Sequence, residues 1–181
     1  CRSRQCRSYL CWQKVSKPPL EHMKEAGNET VMKISVAAVP YYWTKAAYQS
    51  FYQQLAKTPV DIVYLGETVC AKRRNMKFED WLEIAEALGE SGKQVVLSTL
   101  TLIEAESELK YLNKIAKQRD YLIEANDMAG IQLAHDYGNP FVAGNAINIY
   151  NNRSLSILNK LGMTRWNCLL YTSPSPRDRY I

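Results

Sequence analysis

Residues 61–74 have the sequence DIVYLGETVCAKRR, and this stretch sets the expected fold. Its first five residues are mostly apolar, which predicts a buried strand over 61–65. The residues that follow bring a carboxylate, a thiol and three cations to the end of that strand, just before a strongly helical segment. These are Glu67, Cys70, Lys72, Arg73 and Arg74. We therefore expect the chemistry of the protein at the carboxyl end of this strand.

Strands and helices are predicted to alternate on both sides of this stretch. The predicted strands are 33–39, 61–65, 94–98, 121–124, 141–143 and 163–166, and the predicted helices are 44–55, 78–88, 102–118, 128–137 and 155–161. Thr44, Asp127 and Ser154 are the expected N-caps of the first, fourth and fifth helices.

Alternation at intervals of about 25–35 residues is typical of parallel βαβ units. The sequence has no Gly-x-Gly-x-x-Gly after its first strand and no phosphate-loop motif, which disfavours nucleotide-binding doubly wound folds. The predicted fold class is α/β, a partial (β/α) TIM-like barrel of about five and a half βα units. Such a partial barrel would leave strand edges uncovered.

Both ends of the sequence differ from its middle. Residues 1–31 show no helical or strand periodicity, and we interpret them as a non-native or disordered leader. Residues 32–167 are the predicted partial barrel domain. Residues 168–181 are interpreted as an adapter-derived tail on a C-terminally truncated chain, because CLLYTSPSPRD at 168–178 matches the translation of a transposase-type sequencing adapter.

The net charge of +5 belongs mostly to these ends. Residues 1–31 carry six Lys/Arg and three Asp/Glu, and the tail carries two Arg and one Asp, which leaves +1 for residues 32–167. The basic balance therefore does not predict nucleic-acid binding. No apolar run approaches the roughly 18–20 residues of a membrane-spanning helix, so no transmembrane segment is expected.

Cysteine usage points to a reducing compartment. Cys1, Cys6 and Cys11 are spaced as C-x4-C-x4-C, but polar residues surround them and no packed element is predicted nearby, which disfavours a metal site. Cys168 belongs to the predicted tail. Cys70 is then the one thiol of residues 32–167 and cannot form an internal disulfide, which fits a cytoplasmic protein.

A ring of polar and aromatic side chains is expected where the strands end, because βα barrels carry their functional groups there. Its predicted members are Tyr41, Tyr42, Trp43, Glu67, Cys70, Lys72, Arg73, Arg74, Ser98, Thr99, Glu124, Asn126, Asp127, Asn145, Asn148 and Arg165. The ring contains no pairing of a nucleophile with a histidine, and its catalytic residues stay unassigned.

Each candidate has a structural alternative. Cys70 is either a small buried apolar side chain or a thiolate, stabilised by nearby cations, that acts as nucleophile or metal ligand. The cations at 72–74 either form a solvated helix entry or bind an anion or an acidic partner. The carboxylates Glu67 and Glu124 either face a common pocket or cap helices. The aromatic cluster at 41–43 either stacks on a ligand or closes the rim of the barrel.

Five blocks of sequence resemble the U32 (collagenase-like) peptidase superfamily, in particular members that act in ubiquinone biosynthesis. The blocks are YYW at 41–43, YLGETVCAKRR at 64–74, GKQVVLSTL at 92–100, LIEAND at 122–127 and PFVAG at 140–144. They occur in the family's order, and the resemblance extends over residues 32–167.

The resemblance implies a function in anaerobic metabolism, the oxygen-independent hydroxylation of the ring of a ubiquinone precursor. It also implies a heterodimer with a UbiU-like paralogue, a UbiT-like lipid carrier as a further partner, and a [4Fe-4S] cluster held by four cysteines. Cys70 matches the first cluster ligand, and the other three family positions lie beyond residue 167. We therefore expect the chain as written not to assemble a stable cluster.

Two alternatives to this function remain. A U32-type peptidase is disfavoured because no convincing Ser/Cys–His pair or metal-binding histidine motif occurs in the sequence. A non-catalytic module that dimerises with the paralogue stays open.

Overall fold

The computed structural model describes residues 32–73 and 75–168, in which six strands alternate with five helices. In chain order the elements are β1 (Ser35–Val36), α1 (Lys45–Leu55), β2 (Ile62–Leu65), α2 (Phe78–Glu90), β3 (Gln94–Ser98), α3 (Glu106–Lys117), β4 (Leu122–Ala125), α4 (Met128–Asp136), β5 (Phe141–Ala143), α5 (Asn152–Lys160) and β6 (Met163–Trp166). Arg74, the predicted leader and residues 169–181 of the predicted tail lie outside the described residues.

All six strands pair in parallel, in the order β1-β2-β3-β4-β5-β6. Ser35 pairs with Ile62, for example, and Val96 pairs with Leu122. A doubly wound sheet reverses its strand order at a switch point, whereas strands in sequence order wind in one direction, as in a barrel. The predicted α/β class is confirmed, and the six strands form a half-barrel.

Alternating side chains give the sheet two apolar faces. On the helix side, Val63, Leu65, Val95 and Leu97 pack against the buried stripes of α1 and α2, which include Tyr48, Tyr52, Leu55, Trp81, Ile84 and Leu88. The inner side carries a smaller cluster of Ala38, Ile62, Tyr64, Val96 and Val142. The apolar cluster on the helix side is the larger of the two because α1 and α2 contribute most of its side chains.

Two predicted helix caps are confirmed and one is wrong. Thr44 Oγ1 accepts a hydrogen bond from the Ala47 amide at 3.3 Å, and Asp127 Oδ1 accepts one from the Ala129 amide at 2.7 Å. The cap of α5 is Asn151, whose Oδ1 accepts from the amide of Ser154 at 2.9 Å. Ser154 therefore donates to the cap instead of providing it.

The first strand and the third helix are shorter than predicted. β1 has two residues, since only Ser35 and Val36 pair with β2, although Val39 is buried in the core. The third helix begins at Glu106 and not at residue 102, because the Glu108 carboxylate accepts the amides of Glu104 and Ala105 just ahead of it. Ala105, just ahead of this helix, and Leu109, in its first turn, are exposed.

None of the helices in the described ranges 32–73 and 75–168 is long and apolar enough to span a membrane.

Candidate functional site

The loop after β2 is organised by the carboxylate of Glu67. Its Oε1 accepts hydrogen bonds from the amides of Val69 at 2.9 Å and Cys70 at 3.1 Å. The same oxygen lies 3.4 Å from Nη1 of Arg73, which also donates to the carbonyl of Pro40 at 2.8 Å. The acid and the base together tie this loop to the segment between β1 and α1, and they fix the backbone of Cys70.

Gly66 begins the loop in a conformation that favours glycine, with φ at 137°. A Cβ at this position would lie 2.5 Å from the carbonyl oxygen of Ser98, so the loop leaves β2 in direct contact with the end of β3. Farther along, the Thr68 carbonyl accepts from both the amide and the hydroxyl of Thr101 at 3.0 Å. The loop is therefore held on two sides, and the half-buried Cys70 lies on a fixed backbone.

A cleft of about 380 Å³ lies beside this loop. Its lining combines aromatic, aliphatic and charged side chains: Tyr48, Glu67, Ala71, Arg73, Asn75, Met76, Lys77, Trp81, Leu100, Ser107, Glu108 and Tyr111. Small-molecule sites are concave and mostly apolar with a few placed polar groups, and this cleft has that composition.

The two tyrosines of the cleft differ in their hydrogen bonds. The Tyr48 hydroxyl donates to the Tyr41 carbonyl at 2.7 Å. The Tyr111 hydroxyl has no hydrogen-bond partner among the described residues. Burial, with the nearby carboxylates of Glu79 and Glu67, raises the pKa of Tyr111 to about 12, so this hydroxyl keeps its proton at neutral pH.

A second polar group lies on the inner side of the sheet, around Glu124. Ser98 Oγ donates to Oε2 of this carboxylate at 2.5 Å, and Asn167 Nδ2 donates to Oε1 at 2.7 Å. The Tyr64 hydroxyl donates to Asn167 Oδ1 at 3.3 Å, and Arg165 lies 3.4 Å from that hydroxyl. Both oxygens of Glu124 are thus occupied, and the carboxylate is buried.

Asn126 supports the same group from the end of β4. Its Nδ2 donates to the Thr99 carbonyl at 2.9 Å and lies 3.5 Å from Glu124 Oε2. Its Oδ1 occupies the space that a Cβ at Gly144 would fill, which explains the glycine at that position.

The structure separates the predicted ring into these two groups. Glu67 and Arg73 line the cleft, with Cys70 on the adjoining loop, while Ser98, Glu124, Asn126 and Arg165 belong to the inner group. Glu67 lines the cleft and Glu124 does not, and the two carboxylates share no hydrogen-bond partner among the described residues.

The other candidates are at the surface or in structural contacts. Tyr41, Tyr42, Lys72, Asn145 and Asn148 are exposed. The Trp43 ring is partly buried and packs against the core, with its centroid 5.4 Å from that of Phe51 and 5.7 Å from that of Tyr48. Lys72 adds to the effect of the Glu104 and Ala105 amides in lowering the pKa of Glu108.

Sequence reasoning missed Tyr111 as a cleft residue and Tyr64 and Asn167 as members of the inner group. The alternation of β2 could have placed Tyr64 on the inner side with Ile62. Tyr111 and Asn167 have no such local signal, because their positions depend on how α3 packs and where β6 pairs.

The described residues do not form a site for an iron–sulfur cluster. Cys70 is a free cysteine, and no three His, Cys, Asp or Glu side chains are grouped to hold a metal ion anywhere in residues 32–73 and 75–168. A [4Fe-4S] cluster takes four thiolates, of which Cys70 would be one. The described residues therefore supply one of the four thiolates that a [4Fe-4S] cluster needs and do not fit the cluster as a whole.

No protein-family model matches this chain, and no solved structure matches it.

Proposed function

We propose that the chain is a UbiV (YhbV)-like member of the U32 superfamily that takes part, with a UbiU-like paralogue, in the oxygen-independent hydroxylation of the ring of a ubiquinone precursor. The observation that supports this function is the position of Cys70 on a loop held by Glu67 and Thr68 at the carboxyl edge of a parallel sheet. Enzymes built on (β/α) barrels carry their chemistry at that edge.

The fold proposal goes with this function. Six strands in sequence order leave β1 and β6 as the two edges of the described sheet, which is how a barrel appears before its remaining units close it. We propose a TIM-like barrel as the complete architecture, with further strands paired to these edges.

Cys70 is proposed as one thiolate ligand of a [4Fe-4S] cluster. The three remaining ligands come from outside the described residues, and the chain as written holds no stable cluster by itself. A UbiT-like lipid carrier would present the precursor to the heterodimer.

The test uses the intact gene, after its sequence beyond codon 167 has been determined with a different sequencing-library method. An anaerobic strain that lacks this gene is supplied with the wild-type gene, with Cys70→Ala, or with Ser156→Ala, at an exposed position of α5 away from the loop, as a control. We expect the wild type and the control to restore ubiquinone, measured by mass spectrometry, and Cys70→Ala not to restore it. Full restoration by Cys70→Ala would refute the proposed ligand.

A non-catalytic role in heterodimerisation is the second candidate, and one observation favours it. Each of the five β-to-α connections carries a large apolar side chain that is at least half exposed. These are Tyr41 and Tyr42, Val69, Leu102, Met128 at the start of α4, and Tyr150. Apolar side chains repeated around one edge are typical of a protein interface.

The two candidates are separated by the same strain. If Cys70→Ala still co-purifies with the UbiU-like paralogue but restores no ubiquinone, the thiol acts in the reaction and not in assembly. A peptidase gains no support from the described residues, in which His135 Nδ1 lies 3.3 Å from the Leu161 carbonyl and contacts no nucleophile.

A further inference from the structure

Glu124 is a buried carboxylate whose hydrogen-bond donors are all neutral. The residue is 8% exposed, and its contacts are the Ser98 hydroxyl and the side-chain amides of Asn126 and Asn167. None of the ion pairs formed within residues 32–73 and 75–168 includes it. Buried charges in proteins are ordinarily paired with an opposite charge or bound to a metal ion. The surroundings of Glu124 therefore lack one positive charge.

The cation of the inner group, Arg165, is tied to other residues. Its Nη2 donates to Gln94 Oε1 at 2.7 Å, and its Nη1 lies 3.4 Å from the Tyr64 hydroxyl. That hydroxyl donates to Asn167, whose amide in turn donates to Glu124. A tyrosine and an asparagine thus stand between the guanidinium and the carboxylate, and Arg165 forms no ion pair with Glu124.

Asn126 brings an acceptor without a donor to the same place. The residue is 4% exposed, and its Nδ2 faces two acceptors, the Thr99 carbonyl at 2.9 Å and Glu124 Oε2 at 3.5 Å. These acceptors fix which end of the amide carries the nitrogen. The other end, Oδ1, is a buried oxygen with no hydrogen-bond partner in the described part of the chain. Buried acceptors are ordinarily satisfied, so this oxygen calls for a donor or a cation.

The side chains of Asn126 and Glu124 converge over Gly144. A Cβ at this glycine would lie 1.8 Å from Asn126 Oδ1 and 3.2 Å from Glu124 Cγ. A carboxylate has about four lone-pair positions, of which Ser98, Asn126 and Asn167 use three. Glu124 can therefore contact one more group without releasing its present partners.

The chemistry of these atoms selects a monovalent metal ion. The free positions are oxygens, the ligands that hard cations prefer. One carboxylate neutralises one positive charge, whereas a divalent ion would leave a second charge buried without a partner. No three His, Cys, Asp or Glu side chains are grouped within residues 32–73 and 75–168, as a transition-metal site would require. The burial of both residues favours a bare ion over a larger amine.

We propose that the inner group binds an alkali-metal ion, Na⁺ or K⁺, between the Glu124 carboxylate and Asn126 Oδ1. The position is the carboxyl edge of β3 and β4, where barrel enzymes carry their sites. This inference does not rest on the proposed function. Its failure would leave the assignment of Cys70 untouched, because the thiol is not part of the inner group.

The test compares thermal unfolding of the full chain in the chlorides of sodium, potassium, methylammonium and tetramethylammonium at equal concentration. Tetramethylammonium carries the same charge but is too large for the site, so it controls for ionic strength. An ion whose dissociation constant is about tenfold below its concentration shifts the folding equilibrium about elevenfold. We expect sodium or potassium to raise the midpoint of unfolding about 4 °C above its value in tetramethylammonium.

Two charge-neutralising variants locate the ion. Glu124→Gln keeps the shape of the side chain but removes its charge, and it should lose most of the rise in midpoint. Glu86→Gln removes the same charge at an exposed position of α2 and should keep the full rise. A rise in Glu124→Gln as large as that of the wild type would place the ion elsewhere and refute the proposed site.

Sodium and thallium NMR measure the binding without reference to stability, since Tl⁺ replaces K⁺ in oxygen-lined sites. At least one of the two resonances should broaden with the wild-type chain and with Glu86→Gln, and neither should broaden with Glu124→Gln. Equal midpoints in the four salts, with no broadening of either resonance, would overturn the proposal. A rise in methylammonium alone would overturn it as well, because the site would then belong to an amine.

Discussion

Glu67 and Glu124 both lie at the carboxyl edge of the same sheet, but their surroundings differ. Glu124 is buried on the inner side, where Ser98 and Asn167 each donate to one of its oxygens. Glu67 lies on the helix side with a partly exposed carboxylate, and all its hydrogen bonds go to one oxygen. The carboxylate with both oxygens bonded positions its neighbours across the sheet, whereas the other orders a single loop.

The two regions meet at Ser98. Its hydroxyl holds Glu124, and its carbonyl is the atom that the start of the Glu67 loop approaches at Gly66. The end of β3 therefore contacts both the inner group and the loop beside the cleft. Substitutions in the inner group and in the loop test how far the stability of one region depends on the other.

The largest expected effect is that of Glu124→Ala. This change removes the acceptor of Ser98 Oγ and Asn167 Nδ2, and buried donors without partners cost about 1–3 kcal/mol each. We expect the free energy of unfolding, measured by urea denaturation, to fall by about 3 kcal/mol. Glu124→Gln, which keeps one acceptor and the volume, is the control and should cost about 1 kcal/mol. Equal losses in the two variants would show that the hydrogen bonds are not the cause.

The next effect is that of Gly66→Ala, which tests the contact between the two regions. A Cβ would collide with the Ser98 carbonyl, and the positive φ adds strain, so we expect a loss of about 2–3 kcal/mol. Gly92→Ala is the matched control, because Gly92 also has a positive φ but no atom near its Cβ position. It should cost about 1 kcal/mol in the same urea measurement. A similar cost at both glycines would mean that the close approach has no energetic weight.

A smaller effect is expected for Glu67→Ala, about 1 kcal/mol, because water can replace the lost acceptor at this partly exposed site. The more specific readout is amide hydrogen exchange, which should accelerate at Val69 and Cys70, the two amides that Glu67 holds. Glu67→Gln retains an acceptor and should protect both amides better than alanine does. Unchanged exchange rates at these amides in Glu67→Ala would show that Glu67 does not hold the loop.

The smallest effect concerns Asp80, an acidic side chain near the start of α2. The hydrogen bond from Lys45 at 2.7 Å, and then the amide of Lys77, hold the pKa of this carboxyl below its usual value. A lowered pKa in the folded protein stabilises it above the unfolded pKa, near 4, and the benefit is lost as the pH falls further. We expect Asp80→Asn to reduce the acid-dependent part of the unfolding free energy between about pH 5 and pH 2.

Lys45→Met removes the main cause of this shift, and it should reduce the same acid dependence. The two single variants and the double variant form a cycle, measured by urea denaturation at each pH. If the double variant loses as much as the two single variants added together, Lys45 and Asp80 do not act as a pair.

Local patterns were enough to predict most of the elements. β3, β5 and β6 begin and end at the predicted residues. β3 and β5 have apolar centres bounded by turn or polar residues, and β6 follows directly after Gly162. The start of α3 was missed because Glu108, inside the helix, caps the residues before it, and no residue at 102–105 indicates this.

The two parts of the candidate site were not equally predictable. The hydrogen-bond partners of the Glu67 carboxylate lie within six positions of it, so this concentration of polar groups is visible in the sequence. The inner group joins Tyr64 to Asn167, 103 positions apart, and depends on the register of the whole sheet. The cluster, the protein partners and the ring hydroxylation stay predictions, since they concern groups beyond the described residues.

The strand order also has a consequence for how the chain acquires its structure. Every strand pairs with the strand made just before it, so pairing can proceed in step with synthesis, one βα unit after another. Contacts between neighbouring units are short in sequence, which favours rapid early steps. Asn167 accepts a hydrogen bond from the Tyr64 hydroxyl and donates one to Glu124, and these two bonds across the sheet must form last. The hydrogen bonds of the inner group are therefore completed only after β6 has paired, and they are the last contacts of the half-barrel to form.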